Sequence, residues 1–478
     1  MSARLTRRAA IAALGAAVAC AAQAGAPPIA PAPRPRSAPT GAALAQARGF
    51  SGEVGFVLCD AATGATLEAL NAGRGFAPAS VVKLATALYA LETLGRAHRF
   101  ETATLARGAL ADGRLAGDLV LRGGGDPELD TAQLAQLAAE TAQRVRGVTG
   151  RFLVEDAPAA ALIDADQPAE ASYNPAVGAL NLNFNRVRLA WSRRGGALDA
   201  RIEAHSERLS PPTAAVGLQI EGLDCGCPVF SHDASRAPER WRVRADALRG
   251  EGSVFLPVRA PALYAADVFR SAAAQAGLAL PPPVVAAAGA GGGAPLAATR
   301  SRALDEIVGD MLRHSTNLTA EALGLAATRA RGGDAASLEA SGAAMSAWAE
   351  ARAGAQGLAL RNHSGLSAES RARPEALAAL MRAPGAFETL APLIRAYPLE
   401  GFEAAVVLAK TGTMDFARGL GGWLVGPSGR RMVFAIFSGD LPRRAASRGG
   451  PAQGARGWRN AALGFERALL GSWLTRFG

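Results

Sequence analysis

Lysine is nearly absent from this chain. Of its 51 basic residues only Lys83 and Lys410 are lysines. Arginine serves wherever a positive charge alone is wanted, but its guanidinium does not give up a proton, whereas a buried lysine shifts its pKa readily. The two retained lysines therefore mark places where an amine in particular is needed. A coding bias toward arginine accounts for the arginines, but not for both lysines falling inside short motifs. Cysteine is scarce as well, with Cys20, Cys59, Cys225 and Cys227. Cys225-Gly-Cys227 can form a small disulfide but lacks the second pair that a zinc site requires, and no two of His98, His205, His232, His314 and His363 have metal-ligand spacing. Cys59 lies in an apolar run and reads as a buried strand residue. Blocks of one charge are missing too. The net charge of +10 is spread along the chain without a run of five or six arginines, which argues against a nucleic-acid tail and leaves a mild attraction to anionic polymers or membrane surfaces.

What is present begins with an export signal. Arg4, Arg7 and Arg8 precede an apolar run from Ala9 to Ala22, and Ala22-Gln23-Ala24 fits an A-x-A cleavage site. The run is too short to span a bilayer comfortably. Thr6-Arg7-Arg8 only partly matches a twin-arginine signal, so the Sec route is expected, with residues 1–24 removed. No later segment reads as transmembrane, and a soluble protein of the periplasm is expected. Residues 25–47 are rich in Ala and Pro and read as a linker. A hairpin is expected from Gly52 to Leu70, followed by an apolar helix from Leu84 to Leu94 whose first turn carries Ser80, just after Pro78. Residues 96–280 alternate short strand patterns with turns, interrupted by a helix near Thr131 to Val145. Pro281-Pro-Pro and Gly289 to Gly293 look like a crossing back to the first domain. From Leu304 the pattern is helical again. Two paired strands are expected around Pro427-Ser-Gly-Arg430, then a final helix near Trp458 to Leu474.

Three motifs carry chemistry: Ser80-x-x-Lys83, Ser315-Thr316-Asn317 and Lys410-Thr411-Gly412-Thr413. Three residues apart on a helix start, Ser80 and Lys83 share a face. A serine hydroxyl becomes a useful nucleophile when an adjacent base takes its proton. A lysine is that base only when burial or a neighbouring cation brings its pKa down, and Lys410 is a suitable cation. A helix N-terminus also offers backbone N–H groups beside a reacting carbonyl. Each motif alone is weak. Their order and contexts strengthen them: the first opens an apolar helix, the second lies in a helical stretch, and the third follows the strand pattern Ala404 to Ala409. His314 beside Ser315 reads as a flanking polar residue, since adjacent helical residues point apart. Gly123-Gly-Gly-Asp126 reads as a tight turn, since no Gly-Lys-Ser/Thr follows.

The three motifs are of the kind found in penicillin-binding proteins and class A β-lactamases. Over roughly residues 50–470 the chain resembles the D-alanyl-D-alanine carboxypeptidase/endopeptidase group of low-molecular-mass class C penicillin-binding proteins. The stretches that carry the likeness are Leu115 to Pro127, Leu296 to Leu304, Met311 to Glu321, and Asn362-His363-Ser364-Gly365-Leu366-Ser367, which resembles an Asp-Gly-Ser-Gly-Leu-Ser loop with departures at Asn362 and His363. The resemblance implies an α/β, β-lactamase/transpeptidase-like serine hydrolase domain with a large, mainly β insertion between the first and second motifs. The expected division is 48–95 with 296–478 as the catalytic domain and 96–295 as insertion, with a nested domain at about 151–260. It implies a penicillin-binding serine carboxypeptidase or endopeptidase acting on peptidoglycan stem peptides through an acyl-enzyme, without cofactor or metal, with β-lactams as inhibitors and no nucleic-acid partner. Ser80 would attack with Lys83 as base; Ser315 would relay the proton and Asn317 position the acyl peptide. Lys410, Thr411 and Thr413, with Gly412 between them, would hold the terminal carboxylate. The N–H groups of Ser80 and Thr413 would form the oxyanion hole. Asp164, Asp166 and Glu170 remain open as readers of the third-position side chain, with Tyr173 lining that pocket. Two alternatives stand beside this reading: a class C β-lactamase or esterase of the same fold, which would carry Tyr-x-Asn as second motif, and a non-catalytic cell-wall-binding or scaffold protein.

Overall fold

The computed structural model describes residues 38–155, 161–195, 197–222, 225–235, 237–286, 292–447 and 452–478. The export signal, its cleavage site and the first part of the Ala/Pro-rich linker lie outside the described residues. The last part of that stretch forms a short helix, Gly41–Gln46, capped by the Thr40 hydroxyl.

An antiparallel sheet of five strands organises the chain's two ends. Its order is Val406–Met414, Ala417–Val425, Arg431–Gly439, Glu53–Asp60 and Thr66–Leu70. Glu53–Asp60 is buried along nearly its whole length, which for a strand means that both faces are covered. Alternation divides its side chains. Phe56 and Leu58 face Phe434, Ile436, Leu420 and the terminal helix Ala455–Phe477, which contributes Phe465, Leu469 and Trp473. Val57 and Cys59 face the opposite core with Val433, Phe437, Val81, Leu84 and Leu377. The second core includes the helix Lys83–Leu94, buried from Lys83 to Leu91. Cys59 is thus a free, buried strand thiol.

The insertion is mainly β. Its principal sheet runs Pro283–Ala286, Phe152–Glu155, Arg114–Arg122, Glu101–Ala111, Ala294–Arg300, with Gly147–Val148 beside Arg114–Arg122. The helices Thr131–Arg144 and Pro261–Gln275 share one hydrophobic core with it. Two three-stranded sheets fall within 186–257: Ala197–Glu203, Arg186–Arg194 and Glu251–Pro257; then Val216–Glu221, Glu239–Arg244 and Phe230–Asp233. Cys225 and Cys227 form a disulfide. The strand Ala294–Arg300 pairs with Glu101–Ala106, so the principal sheet runs past residue 295 and the chain leaves it at Ser301. The glycine run before it and the polar turn after it hid that strand. Phe152–Glu155 likewise belongs to the principal sheet, outside any nested unit. Among the described residues, no helix is long and apolar enough to cross a membrane.

Candidate active site

Ser80 sits on a single 3₁₀ turn, Ala79–Val82, that leads into the Lys83–Leu94 helix. Ala79 has φ +47°, a left-handed conformation uncommon for a residue with a Cβ. Two glycines let other segments reach this turn. A Cβ on Gly412 would lie 2.7 Å from the Pro78 carbonyl oxygen and 3.0 Å from the Ser80 nitrogen; one on Gly365 would lie 1.9 Å from the Ala79 oxygen. The strand of the third motif and the Ser364-Gly365 loop therefore close on Ser80 from two sides.

Lys83 is fully buried. Its Nζ lies 2.9 Å from Ser80 Oγ, 2.8 Å from Asn317 Oδ1 and 2.9 Å from the Ser364 carbonyl oxygen. Burial pushes its pKa well below the usual lysine value and the Lys410 charge pushes it further; Glu321 opposes both. A neutral amine keeps two N–H donors and one lone pair. In that form, with Asn317 and Ser364 accepting those donors, the lone pair is left for the Ser80 hydroxyl, the arrangement that proton abstraction needs.

The second motif lies at a junction between two helices. Ser315 ends Leu304–His314 in the left-handed region, φ +58°, and Asn317 opens Asn317–Ala330. The break turns Ser315 and Asn317 into the same cavity, which a continuous helix does not do for residues two apart. Asn317 Nδ2 donates to the Tyr173 carbonyl oxygen at 3.0 Å. The third motif, expected to follow a strand over Ala404 to Ala409, lies within the edge strand Val406–Met414 itself. Lys410 is 5% exposed and donates to the Thr411 carbonyl at 2.8 Å; burial lowers its pKa to about 8. Opposite Thr413 on the neighbouring strand stands Arg418, whose Nη1 donates to Thr413 Oγ1 at 3.3 Å and whose Nε pairs with buried Glu466 at 2.7 Å.

These segments surround an open cavity of about 740 Å³. Ser80, Ser315, Asn317, Thr413 and Tyr173 line it together, with Asp166 and Glu170 from the insertion and with Asp415, Arg444 and Arg459. Lys83, Lys410, Thr411 and Gly412 lie outside its lining. Asp164 is used within its own loop, accepting from the Asp166 N–H at 2.9 Å and from Gln167 Nε2 at 3.2 Å. Tyr173 is half exposed, its hydroxyl on Gln167 Oε1 at 3.1 Å. Among the described residues no group of His, Cys, Asp and Glu is placed to hold a metal ion. Sequence reasoning passed over Met414, Asp415, Arg444 and Arg459, which carry no motif, and Glu321. A buried acid four residues beyond Asn317 on an apolar helix was a readable signal for the last.

The model of the D-Ala-D-Ala carboxypeptidase 3 (S13) family matches residues 41–456. The D-alanyl-D-alanine carboxypeptidase of Actinomadura sp. (strain R39) is 42% identical over 103 residues, which are 21% of this chain and 19% of that one. The D-alanyl-D-alanine carboxypeptidase DacB of Haemophilus influenzae is 23% identical over 435 residues, 81% of this chain and 86% of that one. The crystal structure of penicillin binding protein 4 (dacB) from Haemophilus influenzae superposes with a TM-score of 0.72 at 20% identity, covering 91% of this chain and 99% of that one. A second structure of it, complexed with a β-lactam, gives 0.68. These likenesses show a shared fold.

Proposed function

The chain belongs to the D-Ala-D-Ala carboxypeptidase 3 (S13) family, and from that premise we propose that it hydrolyses peptidoglycan stem peptides through an acyl-enzyme on Ser80. The observation that carries this reading is the Lys83 amine, buried, 2.9 Å from Ser80 Oγ, with both remaining donors occupied. Ser80 Oγ attacks the penultimate D-Ala carbonyl while Lys83 takes its proton. The N–H groups of Ser80 and Thr413 receive the oxyanion, the kind of stabilisation on which acyl transfer depends. Ser315 passes the proton to the leaving amine, and water then cleaves the acyl-enzyme. Asn317 positions the acyl peptide. Lys410, Thr411 and Thr413 hold the terminal carboxylate, with Arg418 behind Thr413 adding positive charge.

Asp166 and Glu170, which line the cavity, are the acids that would meet an amino group on the third-position side chain; Asp164 is withdrawn from that role by its own loop contacts. The cavity of about 740 Å³ is also lined by Asp415, Arg444 and Arg459. A D-Ala leaving group needs room for one methyl group. The extra room supports cleavage of D-Ala-linked cross-links, endopeptidase work, as well as release of terminal D-Ala. β-Lactams, which mimic the acyl donor, would acylate Ser80. The Arg-rich start, apolar run and A-x-A site of residues 1–24 support export to the periplasm.

The test is labelling with a fluorescent penicillin, followed by mass spectrometry, together with D-Ala release from a stem pentapeptide. The parent forms a stable adduct on Ser80 and releases D-Ala, and Ser80→Ala does neither. An adduct on another serine sinks the assignment, rapid turnover of the penicillin points to a β-lactamase, and a parent that neither labels nor releases D-Ala points to a scaffold.

A further inference from the structure

Beneath the site lies an acid that none of these roles uses. Glu321 stands one helical turn after Asn317, on the same face of the helix, and is fully buried. Both of its oxygens are engaged by the neighbouring loop: the Ser364 N–H donates to Oε1 at 2.8 Å and the His363 N–H to Oε2 at 2.9 Å. Burial raises its pKa, while these N–H groups and the Lys83 charge favour the carboxylate. The carbonyl of the same Ser364 accepts from Lys83 Nζ at 2.9 Å.

The loop has further ties. Thr86 Oγ1 donates to the His363 carbonyl at 2.6 Å, and His363 Nε2 lies 2.7 Å from Ser341 Oγ. The imidazole fills the space left by Gly324, where a Cβ would come within 2.1 Å of the ring. Burial lowers the His363 pKa to about 3, so the ring is neutral. The charged groups that act on Lys83 are Lys410 from the edge strand and Glu321 from the helix.

We infer that Glu321 is a positioning residue: by seating the N–H groups of His363 and Ser364 it fixes the Ser364 carbonyl, and through that carbonyl the direction in which the Lys83 amine faces Ser80. The inference rests on the reading of Ser80 as nucleophile and Lys83 as base. The amine's lone pair faces Ser80 when both its N–H groups have fixed acceptors. Asn317 supplies one acceptor and Ser364 the other. If the loop loosens, the amine is free to turn. Glu321 also supplies the negative charge that counters Lys410.

The test measures acylation by a fluorescent penicillin against pH, separating the encounter constant from the acylation rate, for the parent, Glu321→Gln, Glu321→Asp and the Ser80→Ala control. In Glu321→Gln the acylation rate should fall by about 10- to 100-fold, the scale of loss from small misplacements, with the encounter constant held within about twofold. Its acid limb should move to lower pH, because the anion that favours the charged lysine is gone. Glu321→Asp keeps the charge but shortens the reach. Its acid limb should stay at the parent's pH while the rate falls. A Gln variant with the parent's rate overturns the inference, and so does one whose rate and encounter constant fall together without a shifted limb. If the Gln variant does not fold, the Asp variant decides: a reduced rate on an unshifted limb supports the inference, and the parent's rate overturns it. Labelling that persists in Ser80→Ala would instead bring down the catalytic reading itself.

Discussion

The floor of the cavity and its mouth are built on opposite principles. At the floor, Lys83 has no exposed surface and three oxygen partners; Asn317, Ser364 and Glu321 are themselves held by the Tyr173 carbonyl and by backbone N–H groups. At the mouth, Asp166, Glu170, Asp415, Arg444 and Arg459 border open space, and Lys410 lies behind the lining, 5% exposed, donating to the Thr411 carbonyl of its own strand. A proton acceptor needs low dielectric and a fixed direction, and only full burial with satisfied partners supplies both. A carboxylate clamp needs a group that keeps its charge, and Lys410, whose pKa burial lowers only to about 8, keeps its proton more readily than fully buried Lys83. In the proposed mechanism, the two lysines, alike as residues, are thereby separated into a base and a cation.

Substituting arginine at each lysine tests that separation most severely. Lys83→Arg keeps the charge but accepts no proton from Ser80, so penicillin acylation should fall by about 10²–10⁴-fold, the usual worth of a general base. Stopped-flow acylation rates check this, and parental speed would end the proposed role of Lys83. Next in size is the packing of the floor. Gly324→Ala forces a methyl group against the buried His363 ring and should cost about 1–3 kcal/mol of stability, as overpacked cores do. Chemical denaturation measures it. An unchanged midpoint would mean that the floor is looser than its contacts imply.

Lys410→Arg should be gentler near neutral pH, about tenfold in the second-order acylation constant, since arginine binds carboxylates well. The sharper readout is the alkaline limb. Lys410, with its pKa brought to about 8 by burial, is charged below that pH, and in the proposed role it would lose its hold on a carboxylate above it. The parent's second-order constant should therefore decline as pH rises through about 8, and Lys410→Arg, which never deprotonates, should lose that decline. A limb that persists in the variant belongs to another group. Smallest of all is Asp166→Asn at the mouth. It should raise KM a few-fold for a peptide with a free amino group on its third residue, within the range of an exposed charge pair, and leave penicillin acylation unchanged. Equal effects on both substrates would remove Asp166 from specificity.

Much of the floor was legible in advance because it is written in local spacing. Ser80 and Lys83 needed only a helix start, and Lys410 to Thr413 only a strand beside it. The central strand Glu53–Asp60 announced itself as an apolar run. Other features were hidden by their neighbours' signals. Ala294–Arg300 lies between a glycine run and a polar turn, and it lacks the branched residues that mark strands. The Ser315 break was concealed because the helical pattern continues on either side of it. Asp166 could not be told from Asp164 by sequence, since the difference is that folding places Asp166 in the cavity lining while Asp164 accepts from the Asp166 N–H and from Gln167 in its own loop.

What the sequence by itself determined is the inventory: a serine three residues before an amine, a second serine two residues before an amide, a strand carrying the other lysine, and the order of all three. Periodicity and spacing are local quantities, and a helix start or an edge strand follows from a few residues. What only the tertiary structure decided is where the amine points and how strongly it holds its proton. Ser364 reaches Lys83 across 281 positions and Asn317 across 234. Direction and desolvation are set by groups brought close only by folding, and no local pattern encodes the dielectric around a side chain.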